Sequence, residues 1–169
     1  MHAKMEQPQI VEITTRQLIG MHIETTLSED KIRALWSEFM PKFKKAAKGT
    51  SYKLYSIQIF DKNLKMSSFN PYTRFIKWAA VERDAVRTIP EEMDYLTLPG
   101  GLYAVFIHKG PADTFPETSQ HIIGQWLPNS EYELDNRPHF EIMDENYQGP
   151  DDPEAEEEVW IPVKMRSET

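Results

Sequence analysis

Twice along this chain a strand, a helix and two more strands follow one another in the same order. The strand-like segment "EITTRQLIGMHIET" precedes "LSEDKIRALWSEFMPKFKKAAKG", where Ile32, Leu35, Trp36, Phe39, Met40 and Phe43 recur at helical spacing. This predicts a helix over residues 28–46. Ser28 is placed to cap it, Glu29 and Asp30 suit the positive end of its dipole, and Pro41 predicts a kink or an early end. Strands are predicted at residues 52–61 and 73–83, with turn residues Asn70 and Pro71 between them. The segment "IPEEMDYLTLPGG" then leads into a strand over 102–110. A second helix, over 114–128, opens on a Thr114/Glu117 capping box and carries Phe115, Ile122 and Trp126 on its apolar face. Residues 137–144 and the segment "EEVWIPVKM" supply the last two strands.

The repeated order predicts an α+β fold of two related modules, about residues 10–84 and 98–165, without a residue-level repeat. Together they are expected to form a single domain over 10–169, preceded by an N-terminal extension of residues 1–9. Hairpin-joined strands imply antiparallel sheets. Both helices are expected on one side, with a central ligand groove where the modules meet.

Chemistry is narrowed by what the chain lacks. It has no cysteine, which removes disulfides, thiol catalysis and cysteine-ligated zinc. Its five histidines, His2, His22, His108, His121 and His139, show no metal-ligand spacing, so no metal or other cofactor is expected. "LPGGLYA" is not a nucleotide loop, and no serine sits in a nucleophile-elbow setting. A net charge of -8 argues against direct nucleic-acid binding, and the basic run "KFKKAAK" suits the negative end of a helix. No apolar run approaches the roughly 18 residues of a membrane span, and no signal core opens the chain, so a cytoplasmic protein is expected.

One stretch places a carboxylate where a ligand could use it. In "AEEEVWIPVK", Val159, Ile161 and Val163 share one parity of an alternating strand, and Glu158, Trp160 and Pro162 share the other. The first parity is plain core. The second is mixed, either the solvated end of an acidic loop or a face with a role that the rest of the chain must supply.

The stretches "LWSEFMPKFKK", "YSIQIFD", "FIKWAAVE", "LPGGLYAVFIHKGP", "IIGQWLPNSEYELDNRPHFEI" and "EEEVWIPVK" run in one order over most of residues 10–165. In that order they resemble the GyrI-like small-molecule-binding domain, the effector-binding domain of AraC-type and multidrug-responsive transcription activators. The resemblance implies a duplicated strand-helix-strand-strand fold with a pocket for bulky amphipathic, often cationic aromatic molecules. It carries over to Glu158, Trp160, Glu141 and Trp78 as ligand-binding residues, with Tyr55 on a strand of unfixed register. In regulators such a domain follows a helix-turn-helix. Here about nine residues precede the first strand, so a stand-alone binder or sensor without DNA contacts of its own is expected. Two alternatives remain open: a hydrolase of strained, cyclopropane-bearing compounds with Glu158 as general base, and a gyrase-inhibitor-like interaction protein acting through "DDPEAEEE" on a protein partner.

Overall fold

The computed structural model describes residues 7–29, 31–147 and 149–167. Most of the N-terminal extension, and the carboxylate of Asp30, therefore lie outside the described residues. The chain builds one long antiparallel sheet and two helical segments. In chain order the strands are β1 (Gln9–Ile13), β2 (Arg16–Thr25), β3 (Lys53–Ile59), β4 (Phe75–Glu82), β5 (Asp94–Leu98), β6 (Gly101–Lys109), β7 (Tyr132–Leu134), β8 (His139–Asp144) and β9 (Glu156–Met165). Helix α1 spans Ile32–Ala46; α2 spans Phe115–His121 and continues as a π-helical turn, Ile122–Trp126, and a 3-10 turn, Leu127–Asn129.

Across the sheet the strands run β1, β6, β9, β8, β3, β4, β2, β5, with β7 added beside the end of β9. The order is a palindrome of the two modules: β6, β9 and β8 from the second meet β3, β4 and β2 from the first, and β8 pairs with β3 at the centre. The repeat read from the sequence is thus the architecture, an α+β fold with a predominantly antiparallel sheet.

The outermost strands cross between modules. The single strand expected at the N-terminus is broken at Thr14 and Thr15: β1 pairs with β6 of the second module, while β2 stays in the first. The lead-in before β6 is likewise a strand, β5, and it pairs back onto β2. The two bends abut. A Cβ on Gly100 would lie 2.5 Å from the carbonyl oxygen of Ile13 and 2.8 Å from the backbone of Thr14 and Thr15. Glycine is required there by close approach of another backbone.

Both helices cover the same face. Helix α1 buries Leu35, Phe39 and Phe43 against Ile19, Ala79 and Val81, and the second helical segment packs Ile122 and Leu127 on Ala104, Phe106, Val159, Ile161 and Val163. The opposite, inner face packs residues of both modules together, Tyr55, Ile57, Trp78, Tyr103, Phe140 and Trp160 among them. The crossing strands close it with Val11 and Ile13 from β1 and Leu96 and Leu98 from β5.

Local details depart from the sequence reading at the helix ends. Ser28 lies in a 3-10 turn, Leu27–Glu29, and α1 begins only at Ile32 without a side-chain cap. The nearby N–H of Glu29 is taken by Thr26 Oγ1 at 3.2 Å. Pro41 neither ends nor interrupts α1, which continues to Ala46. The Thr114/Glu117 capping box does not form, because Thr114 Oγ1 donates to the Pro111 carbonyl at 2.7 Å.

Candidate functional site

Cross-strand register decides which side chains meet. One rung of the sheet runs Val105, Trp160, Phe140, Ile57, Trp78, His22 from β6 to β2. The next runs Ile107, Glu158, Ile142, Tyr55, Ala80. Both belong to the inner face. Four of the five expected ligand residues, Glu158, Trp160, Trp78 and Tyr55, therefore share a face; alternation implied this for Glu158 and Trp160, and the register fixes it for Trp78 and Tyr55. That face is already occupied. Trp160 stacks on Phe140 at 5.3 Å and its indole N–H donates to Glu158 Oε1 at 3.1 Å. Trp78 is buried beneath the His22 ring, 4.3 Å away and nearly parallel, and His22 in turn contacts Asp94 at 3.0 Å.

Arg16 fills the remaining position and was not read from the sequence. Its guanidinium donates to Tyr55 Oη at 2.8 Å and lies 5.3 Å from the centroid of the Trp160 ring. The chain thus supplies its own cation to the aromatic face, joining β3 of one module to β9 of the other. Burial raises the Tyr55 phenol above its ordinary value, and Arg16 opposes that shift. The sequence signal was available: Arg16 shares parity with Leu18, a core residue, on an alternating strand.

Glu141 is not part of this group. It pairs with Val159 and Ser56, so its carboxylate is on the helix-covered face, opposite Glu158. A single rung there runs Phe106, Val159, Glu141, Ser56, Ala79, Met21. Its ends lie beneath the two helices. Its middle lies between them, at the junction of β8 and β3. The modules meet along this seam, and its side chains are polar: Ser56, Gln58, Lys77, His139, Glu141 and Glu157. Because side chains alternate with period two, the carboxylate of β9 that reaches the seam is Glu157 and not Glu158.

The seam concentrates buried charge. Glu141 is only 9% exposed and Lys77 only 5%. Gln58 Nε2 donates to Glu141 Oε1 at 2.9 Å. Burial pushes the Glu141 carboxyl up to about 8, with Glu157 adding to the rise and Lys77 and Gln58 opposing it. Burial raises Glu157 to about 7, against the pull of Lys77. Burial also holds the Lys77 ammonium below its ordinary value, although Glu141 and Glu157 favour its charged form. His139 is driven down to about 4 by burial.

Aromatic rings stand at both ends of the seam. The ring of Phe60 meets His139 edge-on at 5.1 Å and leads to Phe69 and Phe75. At the other end Tyr147, raised to about 12 by burial and by Glu157, Asp151 and Glu141, packs against the α1 cluster. Two surface depressions lie away from both faces. One, of about 610 Å³, is bounded by Ile10, Trp126 and Tyr132; the other, of about 560 Å³, by Lys48, Tyr52 and Glu145. None of the expected ligand residues lines either. Exposed and half-buried side chains line both, so neither offers the desolvated charge found in the seam. Among the described residues no group of three or more metal-ligating carboxylates or histidines occurs, and no helix is long and apolar enough to cross a membrane.

A duplicated module, a sheet joined at its centre and a polar seam between two helices define a small-molecule-binding architecture. The chain belongs to the family of GyrI-like small molecule binding domains, whose profile matches residues 6–164. It is 29% identical over 164 residues to the transcriptional regulator BrlR of Pseudomonas aeruginosa strain PAO1, covering 96% of this chain and 56% of that protein. The chain thus spans little more than half the length of that relative. Its fold is also that of the EcmrR C-terminal domain, with a TM-score of 0.67 and 18% identity over 95% of this chain and 98% of the other. The protein SAV2435, solved bound to tetraphenylphosphonium, superposes with a TM-score of 0.65 and 16% identity over 94% of each chain.

Proposed function

We propose that this protein is a binder or sensor of small amphipathic cations, and that the cation is received in the seam by Glu141 and Glu157. The observation that carries this reading is the buried Glu141 and the half-buried Glu157, which have no neutralising ion pair among the described residues. Burying such groups costs stability unless a partner offsets it, and structures keep them mainly where they act. An organic cation would bring the missing charge, and the rings of Phe60 and Tyr147 would meet its apolar body. The inner-face residues Glu158, Trp160, Trp78 and Tyr55 become the rigid support of the sheet, with Arg16 in the cation position. That SAV2435 was solved with tetraphenylphosphonium is consistent with this ligand class. Direct nucleic-acid contact is not part of the proposal, given a net charge of -8.

A hydrolytic role on the same residues is the second reading. It is favoured by two seam carboxyls that burial drives up, Glu141 to about 8 and Glu157 to about 7, so that each can hold or take a proton near neutral pH. Here Glu157, rather than Glu158, would activate water.

The binding reading is tested by titrating the cationic dye rhodamine 6G, followed by fluorescence anisotropy, between pH 6 and 9. Affinity should rise with pH as the carboxyls with values of about 7 and 8 ionise. Saturable binding that is indifferent to pH would contradict the seam carboxylates as the cation's partners.

A further inference from the structure

Lys77 is the unusual member of the seam. It stands on β4 opposite Gln58 and Ile23, with its side chain on the helix-covered face, and it is 5% exposed. Yet among the described residues it makes no hydrogen bond, and no carboxylate lies within 4.0 Å of its ammonium. Among those same residues, every side-chain nitrogen or oxygen that is fully sealed from solvent has a hydrogen-bond partner. The Lys77 ammonium is therefore not completely sealed. Glu141 and Glu157 are near enough to feel its charge, and it feels theirs, but neither closes on it. Through Gln58, which stands opposite Lys77 and donates to Glu141, a buried lysine and the seam carboxyls are thus brought close without a contact ion pair.

Resting on the reading of the seam as the ligand site, we propose that its ligand is zwitterionic: a basic or quaternary nitrogen for Glu141 and Glu157, and an anionic acceptor for Lys77. A lysine whose only task was to neutralise the carboxylates would pair with one of them, because a contact ion pair offsets desolvation far better than a separated one. A plain cation would satisfy the carboxylates and leave the ammonium unpaired beside it, with like-charge repulsion added. A ligand carrying both charges satisfies both ends, with its acceptor set against Lys77. Lys77 thereby discriminates among cations of similar bulk.

Rhodamine B and its ethyl ester make the matched probe, sharing the xanthene cation and differing in whether a carboxylate accompanies it. The intact protein should bind rhodamine B about tenfold more tightly than the ester at pH 8, the scale of one charge-assisted hydrogen bond. The Lys77→Met variant should lose or reverse this preference. Lys77→Arg should keep it, and Glu141→Gln should weaken both dyes while preserving it. Equal affinities in the wild type, or a preference unchanged in Lys77→Met, would overturn the inference while leaving the cation site standing. Failure of the wild type to bind either dye would overturn the small-molecule reading and this inference with it.

Discussion

Glu157 and Glu158 are neighbours in the chain and belong to opposite faces of the sheet. Alternation alone identified the two faces of β9, but not which one meets the groove. The parity of Val159, Ile161 and Val163 looks like uniform core because α2 covers it; one step beyond the helix the same parity emerges in the seam as Glu157. Glu141 was found from its motif and assigned to the wrong companions, since its register against β9 is set by long-range pairing that no local pattern encodes. Its burial has a consequence for stability. The folded-state value of about 8 exceeds the ordinary 4.5, so the folded state holds a proton that the unfolded chain releases. The contribution is complete below about pH 4.5 and is lost as pH rises through about 8. The Glu141→Gln variant cannot ionise, so its thermal midpoint should gain on that of the wild type from pH 5 to pH 9. Parallel midpoint curves for the two proteins would contradict a buried, proton-holding Glu141.

The helices and central strands were legible because each keeps one period over its length, as α1 does from Leu35 to Phe43. The crossing strands were not. β1 and β2 read as one alternating segment, and the break at Thr14 and Thr15 is made by pairing with two different modules rather than by a turn residue. Helix caps failed for a related reason: Thr114 is a good cap by sequence, but its hydroxyl is taken by the turn before the helix. The exchange of β1 and β5 depends on the two bends passing in contact at Gly100. An added Cβ would meet backbone, which no rotamer change relieves. Gly100→Ala should therefore cost about 1 to 3 kcal/mol, the range for overpacking a filled site, and lower the urea midpoint accordingly. An unchanged midpoint would mean that the arms can part without loss.

At the scale of the molecule, the seam exists only because the modules meet. Lys77 and Gln58 come from the first module and Glu141 and Glu157 from the second, and the β3–β8 pairing brings them to one place. The palindromic strand order puts both helices on the same face, one on either side of the central β8–β3 pair, so a site at the junction follows from the duplication. The same closure fills the inner face with Arg16 and aromatic rings. Which of the two faces receives the ligand is the central claim. It is tested most directly by comparing rhodamine 6G affinity at pH 8.5 among the wild type, Glu157→Gln and Glu158→Gln. Removing the seam carboxylate in Glu157→Gln should weaken binding by about 1.5 to 3 kcal/mol, the range for a hydrogen bond to a charged group, with Glu158→Gln close to wild type. Weakening by Glu158→Gln with Glu157→Gln unaffected would place the ligand on the inner face and contradict the account.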